Sequence, residues 1–195
     1  MFAIAVAAFL QIANCLDERF LDHTGAFARA VPAAGAALEQ AEDHTRVPLD
    51  PSHQWIAGAR DGDRVCVTDG HVFGWADASS LTFAPLPPTS QSAWLGKWEF
   101  AESGDIPWIR ITRRKGGKLH VSGYAEWRAH PDSDPHLGEL DFTGLPRGIV
   151  FDEAGGSETD CAVRLMLLGD RLLAKDNGYC GGMNVNFTTV YKRMR

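Results

Sequence analysis

CAVRLMLLGDRLLAKDNGYCGGMNVNFTTVYKRMR, residues 161–195, is the stretch on which the fold turns. Cys161, Val163, Leu165 and Leu167 alternate with their neighbours as a half-buried strand does, and a Gly169-Asp170 turn leads into a second strand over Arg171 to Lys175. A loop from Asp176 to Gly182 then feeds a third strand marked by Val185, Phe187, Thr189 and Tyr191. The three predict an antiparallel meander. Cys161 opens the first strand and Cys180 lies in the loop before the third, so the two thiols are placed to meet across the end of the sheet. A disulfide there implies an oxidising compartment.

Working outward, the remaining cysteines are Cys15 and Cys66. No two of the four are separated by only two residues, which fits neither a zinc knuckle nor a redox pair. Locality joins Cys161 to Cys180 and leaves Cys15 for Cys66; the competing reading is four reduced, buried thiols in a cytosolic protein. Upstream of the meander every element after residue 93 reads as strand. Trp98 and Phe100 alternate in the first, Ile109 and Ile111 in the second, and Leu119, Val121, Gly123, Ala125 and Trp127 in the third. Leu140 with Phe142, then Ile149 with Phe151, mark two more, making eight in all. Consecutive antiparallel strands with short links close on themselves to remove their edges, so an up-and-down barrel over 94–195 is expected.

A Pro-rich linker, 85–93, precedes it, since Pro85, Pro87 and Pro88 supply no sheet donors and hold the chain extended. Residues 46–84 form a smaller β unit, with Arg64 to Val67 and Val72 to Trp75 flanking the hairpin signal Asp69-Gly70. Residues 1–45 are Ala-rich and read as helical, with Pro32 dividing a first helix from a second over Ala33 to Asp43. Phe2, Val6, Phe9, Leu10, Leu16, Phe20 and Leu21 recur at helical spacing. The same apolar run has the length of a signal peptide, and Ile12-Ala13-Asn14-Cys15 is close to a lipoprotein box, which would give peripheral membrane attachment through the N-terminus. Both readings stay open. The run is too short to span a bilayer.

Three resemblances follow from these residues. Gly74-Trp75-Ala76-Asp77 through Leu81 is similar to the end of bacterial SH3-like domains, which implies a module binding cell-wall peptide or protein segments, with Trp75 as a contact. Leu95-Gly96-Lys97-Trp98 resembles the Gly-x-Trp opening of lipocalin-type barrels. That likeness implies that Trp98 packs at the closed end of the barrel beside a late basic residue, Arg193 or Lys192. Asp176 to Phe187, followed by Tyr191 and Arg193, resembles the C-terminal domain of bacterial envelope proteins labelled lysozyme-inhibitor-like, which carry a helical, cysteine-bearing N-terminal region of the LprI type. This likeness implies a periplasmic or secreted protein and makes Cys15 a member of that helical region.

Charge and motif content narrow the function. The net charge of −6 includes 14 basic and 14 acidic residues over 94–195, and the one basic cluster, Arg113-Arg114-Lys115 with Lys118, reads as a hairpin tip. Nucleic acid is therefore not the expected partner. His130, Asp132, Asp134 and His136 are ligand-type residues, but two prolines stiffen what reads as a polar connection, and no metal or other cofactor is expected. No Gly-x-Ser-x-Gly occurs, and the paired acids Asp152-Glu153 and Glu158 with Asp160 fall in turns, so no catalytic set is expected. Trp108 and Tyr124 fall on the face of their strands opposite Ile109, Ile111 and Trp127, beside Arg110 and Glu126, as an exposed contact patch. They are otherwise covered by the helical N-terminal segment.

The reading is thus a mainly β protein with an α-helical N-terminal segment, a small SH3-like unit and an eight-stranded lipocalin-like barrel. It is expected to be a non-enzymatic cell-envelope protein binding a cell-wall component or a wall-degrading enzyme through Trp75, Trp108, Tyr124 and Trp127. The alternative is a small-molecule carrier with Trp127, Phe142 and Phe151 lining a hollow barrel.

Overall fold

The computed structural model describes residues 15, 26–40, 43–100, 107–130, 132–153 and 155–194. The chain divides into two compact units, the first comprising residues up to Thr68 and Val72–Pro85, the second Asp69–His71 and Leu86–Arg195.

The first unit is a seven-stranded antiparallel sheet of β1 (Ala28–Pro32), β2 (Ala37–Glu39), β3 (Arg46–Pro48), β4 (Trp55–Asp61), β5 (Arg64–Thr68), β6 (Phe73–Asp77) and β7 (Leu81–Pro85). Their order is β3-β2-β6-β5-β4-β1-β7. This corrects the helical assignment of the N-terminal segment, because 28–32 and 37–39 are strands and the described residues hold no α-helix. Alanine has a strong helix propensity in isolation, but β1 lies between β4 and β7, and pairing on both sides outweighs a few tenths of a kcal/mol per residue. Ala30, 2% exposed, supplies the small side chain that such close packing admits. The rest of the expected first helix, before Pro32, falls, apart from Cys15, Ala26 and Phe27, on residues outside those described. Beneath the sheet, Leu38, Trp55, Val65, Val67 and Ala76 form the core, and the Trp55 indole N–H donates to the Asp50 carbonyl at 2.8 Å. Gly74 has a steric cause: a Cβ there would stand 2.5 Å from the Glu39 carbonyl oxygen, so β2 can lie against β6 only with glycine at that place.

Eight strands build the second unit: β8 (Gly96–Phe100), β9 (Trp108–Arg113), β10 (Leu119–Trp127), β11 (His136–Gly144), β12 (Val150–Glu153), β13 (Val163–Leu168), β14 (Arg171–Asp176) and β15 (Thr189–Arg193). They run β11-β10-β9-β8-β15-β14-β13-β12, all antiparallel. The first and last strands pair, while β11 and β12, neighbours in sequence, are the sheet's two ends. The result is a nearly closed up-and-down barrel with its seam between β11 and β12. Alternation places Trp98, Ile109, Ile111, Val121, Leu140 and Phe151 in one buried cluster with Leu165, Leu172 and Tyr191. The last strand starts later than its alternation suggests: Val185 and Phe187 precede the ladder, yet both are buried, held by the loop. The Asp176 carboxylate fixes that loop by accepting the backbone N–H groups of Gly178 and Phe187.

Both disulfides are present, Cys15–Cys66 in the first unit and Cys161–Cys180 in the second, with no free cysteine. Two bridges point to an oxidising, extracytoplasmic compartment. Among the described residues no helix is long and apolar enough to cross a membrane.

Candidate binding face on the barrel

Period-two alternation on β8, β9 and β10 sends one set of side chains inward and presents the other on the outer face. In register, Glu99 of β8 stands beside Trp108 of β9, which stands beside Tyr124 of β10. The Trp108 and Tyr124 rings stack with centroids 6.4 Å apart and planes 24° from parallel. Both are partly exposed. Sequence alternation therefore brings these two together on the outside, and the two charged residues expected beside them, Arg110 and Glu126, share the face.

Around the rings runs a chain of polar contacts. Tyr124 donates its hydroxyl to Glu126 at 2.8 Å, and Glu126 in turn accepts from the Arg128 guanidinium at 2.5 Å. That guanidinium holds the Glu126 carboxyl below its ordinary range, with the Tyr124 hydroxyl a second cause. The Tyr124 phenol is pushed up, because its proton is engaged by a carboxylate. On the other side Lys97 donates to Glu99 at 2.6 Å and lies 5.8 Å from the centre of the Trp108 ring. Glu99 is 7% exposed, an acid kept buried by that partner. Lys97, Glu99 and Arg128 were not among the candidates; the parity of Trp98 alone puts Lys97 and Glu99 on the Trp108 face.

Next to the ring pair, beside Lys97 and Arg110, lies a shallow groove of about 410 Å³ whose lining includes Leu95, Lys97, Arg110, Ile111, Thr112 and Arg113. Among the described residues three cations and no carboxylate line it.

The other candidate residues lie elsewhere. Trp98 points into the barrel, fully buried, with the Arg193 guanidinium 4.2 Å from its ring centre. Arg193 also donates to the carbonyls of Leu95 (2.7 Å) and Ala93. Burial pulls the Arg193 pKa down. Trp94, at the end of a short 3-10 turn, adds its ring to the core edge-on to Phe151, and its carbonyl accepts the Trp98 indole N–H at 3.1 Å. Trp127, on the inward parity at the end of β10, packs against the core and sits 5.3 Å from the His136 ring, away from the Trp108–Tyr124 register position. Trp75 belongs to the first unit and is 3% exposed, so it offers little surface. Of the His130–His136 cluster, His136 Nδ1 lies 2.7 Å from the Met183 carbonyl oxygen, and no group of three metal-type side chains converges among the described residues.

Comparison with known proteins found no matching family model, no matching curated protein and no matching solved structure.

Proposed function

We propose that this chain is a non-enzymatic binding protein of the bacterial cell envelope, periplasmic or secreted, that recognises a cell-wall component through the outer face of its barrel. The observation that carries the reading is the Trp108–Tyr124 pair, two partly exposed rings on neighbouring strands of a rigid sheet. Stacked rings cost little entropy to order and offer an apolar platform with polar groups at its margin, the composition of a recognition surface. The C–H face of a pyranose ring is apolar and packs on an aromatic ring, which favours the glycan part of the wall. The likeness of residues 176–193 to lysozyme-inhibitor-like envelope proteins and the two disulfides support the same compartment.

A binding role also suits four of the acids on the barrel strands. Glu99 is engaged by Lys97, Glu126 by Tyr124 and Arg128, Asp141 by His120, and Asp152 by Arg147 and Arg164. The carrier alternative draws less support, because Phe142, Phe151, Trp98 and Tyr191 pack in one buried cluster inside the barrel.

The test is co-sedimentation of the disulfide-bonded protein with insoluble peptidoglycan, beside pull-down on immobilised lysozyme. Retention on peptidoglycan that falls about tenfold or more in Trp108→Ala supports the reading, since truncating a central aromatic contact costs at least about 1.4 kcal/mol. Retention on lysozyme alone moves the partner to a wall-degrading enzyme. Enrichment on neither removes both.

A further inference from the structure

We infer that the groove beside the Trp108–Tyr124 platform selects an acidic glycan, one whose sugar units carry carboxylates, with the Arg110 guanidinium as the anion contact. The inference rests on the reading of that platform as a glycan surface and adds the charge of the ligand.

Trp108, Arg110 and Thr112 follow each other at alternate positions of β9, so all three share the outer face. Alternate residues of a strand are about 7 Å apart, close to the length of one sugar unit. A ring laid on Trp108 thus brings a carboxylate on it, or on the next unit, within reach of Arg110. Among the described residues the side chains of Arg110 and Arg113 have no ion pair or hydrogen bond, whereas the neighbouring Lys97 is held by Glu99. Arg110 also stands directly opposite Lys97 in the β8–β9 register. Like charges facing each other across two strands are unfavourable, and an anion bound between them relieves the repulsion. The nearest acid in the same cross-strand row, Asp141, lies two strands further on and is engaged by His120 at 2.9 Å. This local excess of positive charge belongs to a chain of net charge −6, so it is not a by-product of a basic composition. A planar guanidinium meets a carboxylate through two parallel N–H···O bonds, which makes arginine the suitable residue for that recognition.

Two soluble probes separate the charge from the platform: a hyaluronan tetrasaccharide, which bears carboxylates, and chitotetraose, which is neutral. Binding to the intact disulfide-bonded protein is followed by calorimetry and by tryptophan fluorescence in low salt. The acidic probe is expected to bind about tenfold or more tightly than the neutral one, a difference worth one charge-assisted pair. That advantage shrinks to near unity in Arg110→Gln while the affinity for chitotetraose is unchanged, and it falls with added salt. Equal affinities for the two probes, an advantage that survives Arg110→Gln, or binding of neither probe overturns the inference. Peptidoglycan retention lost in Trp108→Ala but kept in Arg110→Gln leaves the platform standing without the acidic preference.

Discussion

Arg193 shows how one side chain closes an end of the barrel. Its guanidinium lies over the Trp98 ring and donates to the carbonyls of Leu95 and Ala93, so a cation that burial disfavours is held by a π face and two backbone acceptors. Arg193→Met keeps the stem and removes all three contacts. It is expected to lower unfolding stability by about 1–3 kcal/mol, read as a shift of the urea midpoint at constant slope. Tyr191 makes a second residue-scale prediction. Its hydroxyl donates to the Phe187 carbonyl at 2.9 Å inside the core, and burial, with the Asp176 carboxylate as a lesser cause, raises its pKa well above the usual phenol value. A raised folded-state pKa means that stability is fully present below the unfolded phenol's pKa and is lost as pH climbs past it. The native protein should therefore weaken progressively above about pH 10. Tyr191→Phe should be somewhat less stable at neutral pH, for want of one hydrogen bond, but flatter over the alkaline range. Parallel alkaline limbs for the two proteins would rule this out.

At the scale of elements, the Cys161–Cys180 bridge ties the start of the β13 segment to the loop ahead of β15 across 19 residues. Replacing both cysteines by alanine should cost about 3 kcal/mol in the chain-entropy model, and the Cys15–Cys66 pair, spanning 51 residues, about 4 kcal/mol. Chemical denaturation of the two double variants measures both. Gly74→Ala tests the β2–β6 contact. The added methyl group meets the Glu39 carbonyl oxygen at 2.5 Å and the Leu38 side chain at 2.6 Å, so the strands must separate and the first unit should lose about 3 kcal/mol or more. In the second unit much was legible in sequence, because alternation at Ile109, Ile111, Leu119, Val121 and Leu140 is a local property that survives into the barrel. The N-terminal strands were not legible. Alanine carries no face, so the run around Ala28 to Ala37 has no period to read, and its conformation is set by the partners β4, β6 and β7.

For the whole molecule, sulfur chemistry and compartment are linked. Each of the two units encloses one bridge and no thiol is left over. Protein recovered from an oxidising compartment should show an intact mass short of four hydrogens, with tryptic fragments joined as Cys15–Cys66 and Cys161–Cys180. Protein made in a reducing cytosol should unfold at markedly lower denaturant until it is oxidised. A full complement of free thiols in exported material would contradict this. The candidate face belongs to the same scale, since Trp108, Tyr124, Lys97 and Arg110 come from three strands and meet only once the sheet is in register.

By itself the sequence determined the local Cys161–Cys180 pairing, the strand count of the barrel and the outward parity of Trp108 and Tyr124, because each follows from spacing between neighbouring segments, whereas Cys15–Cys66 followed only as the remaining pair. Only the tertiary structure decided that the N-terminal alanines are strands, that Trp75 is buried, and that Arg110 faces Lys97 beside an aromatic pair. Those outcomes depend on which distant strand lies alongside, and a cross-strand neighbour is chosen by the register of the whole sheet rather than by local pattern.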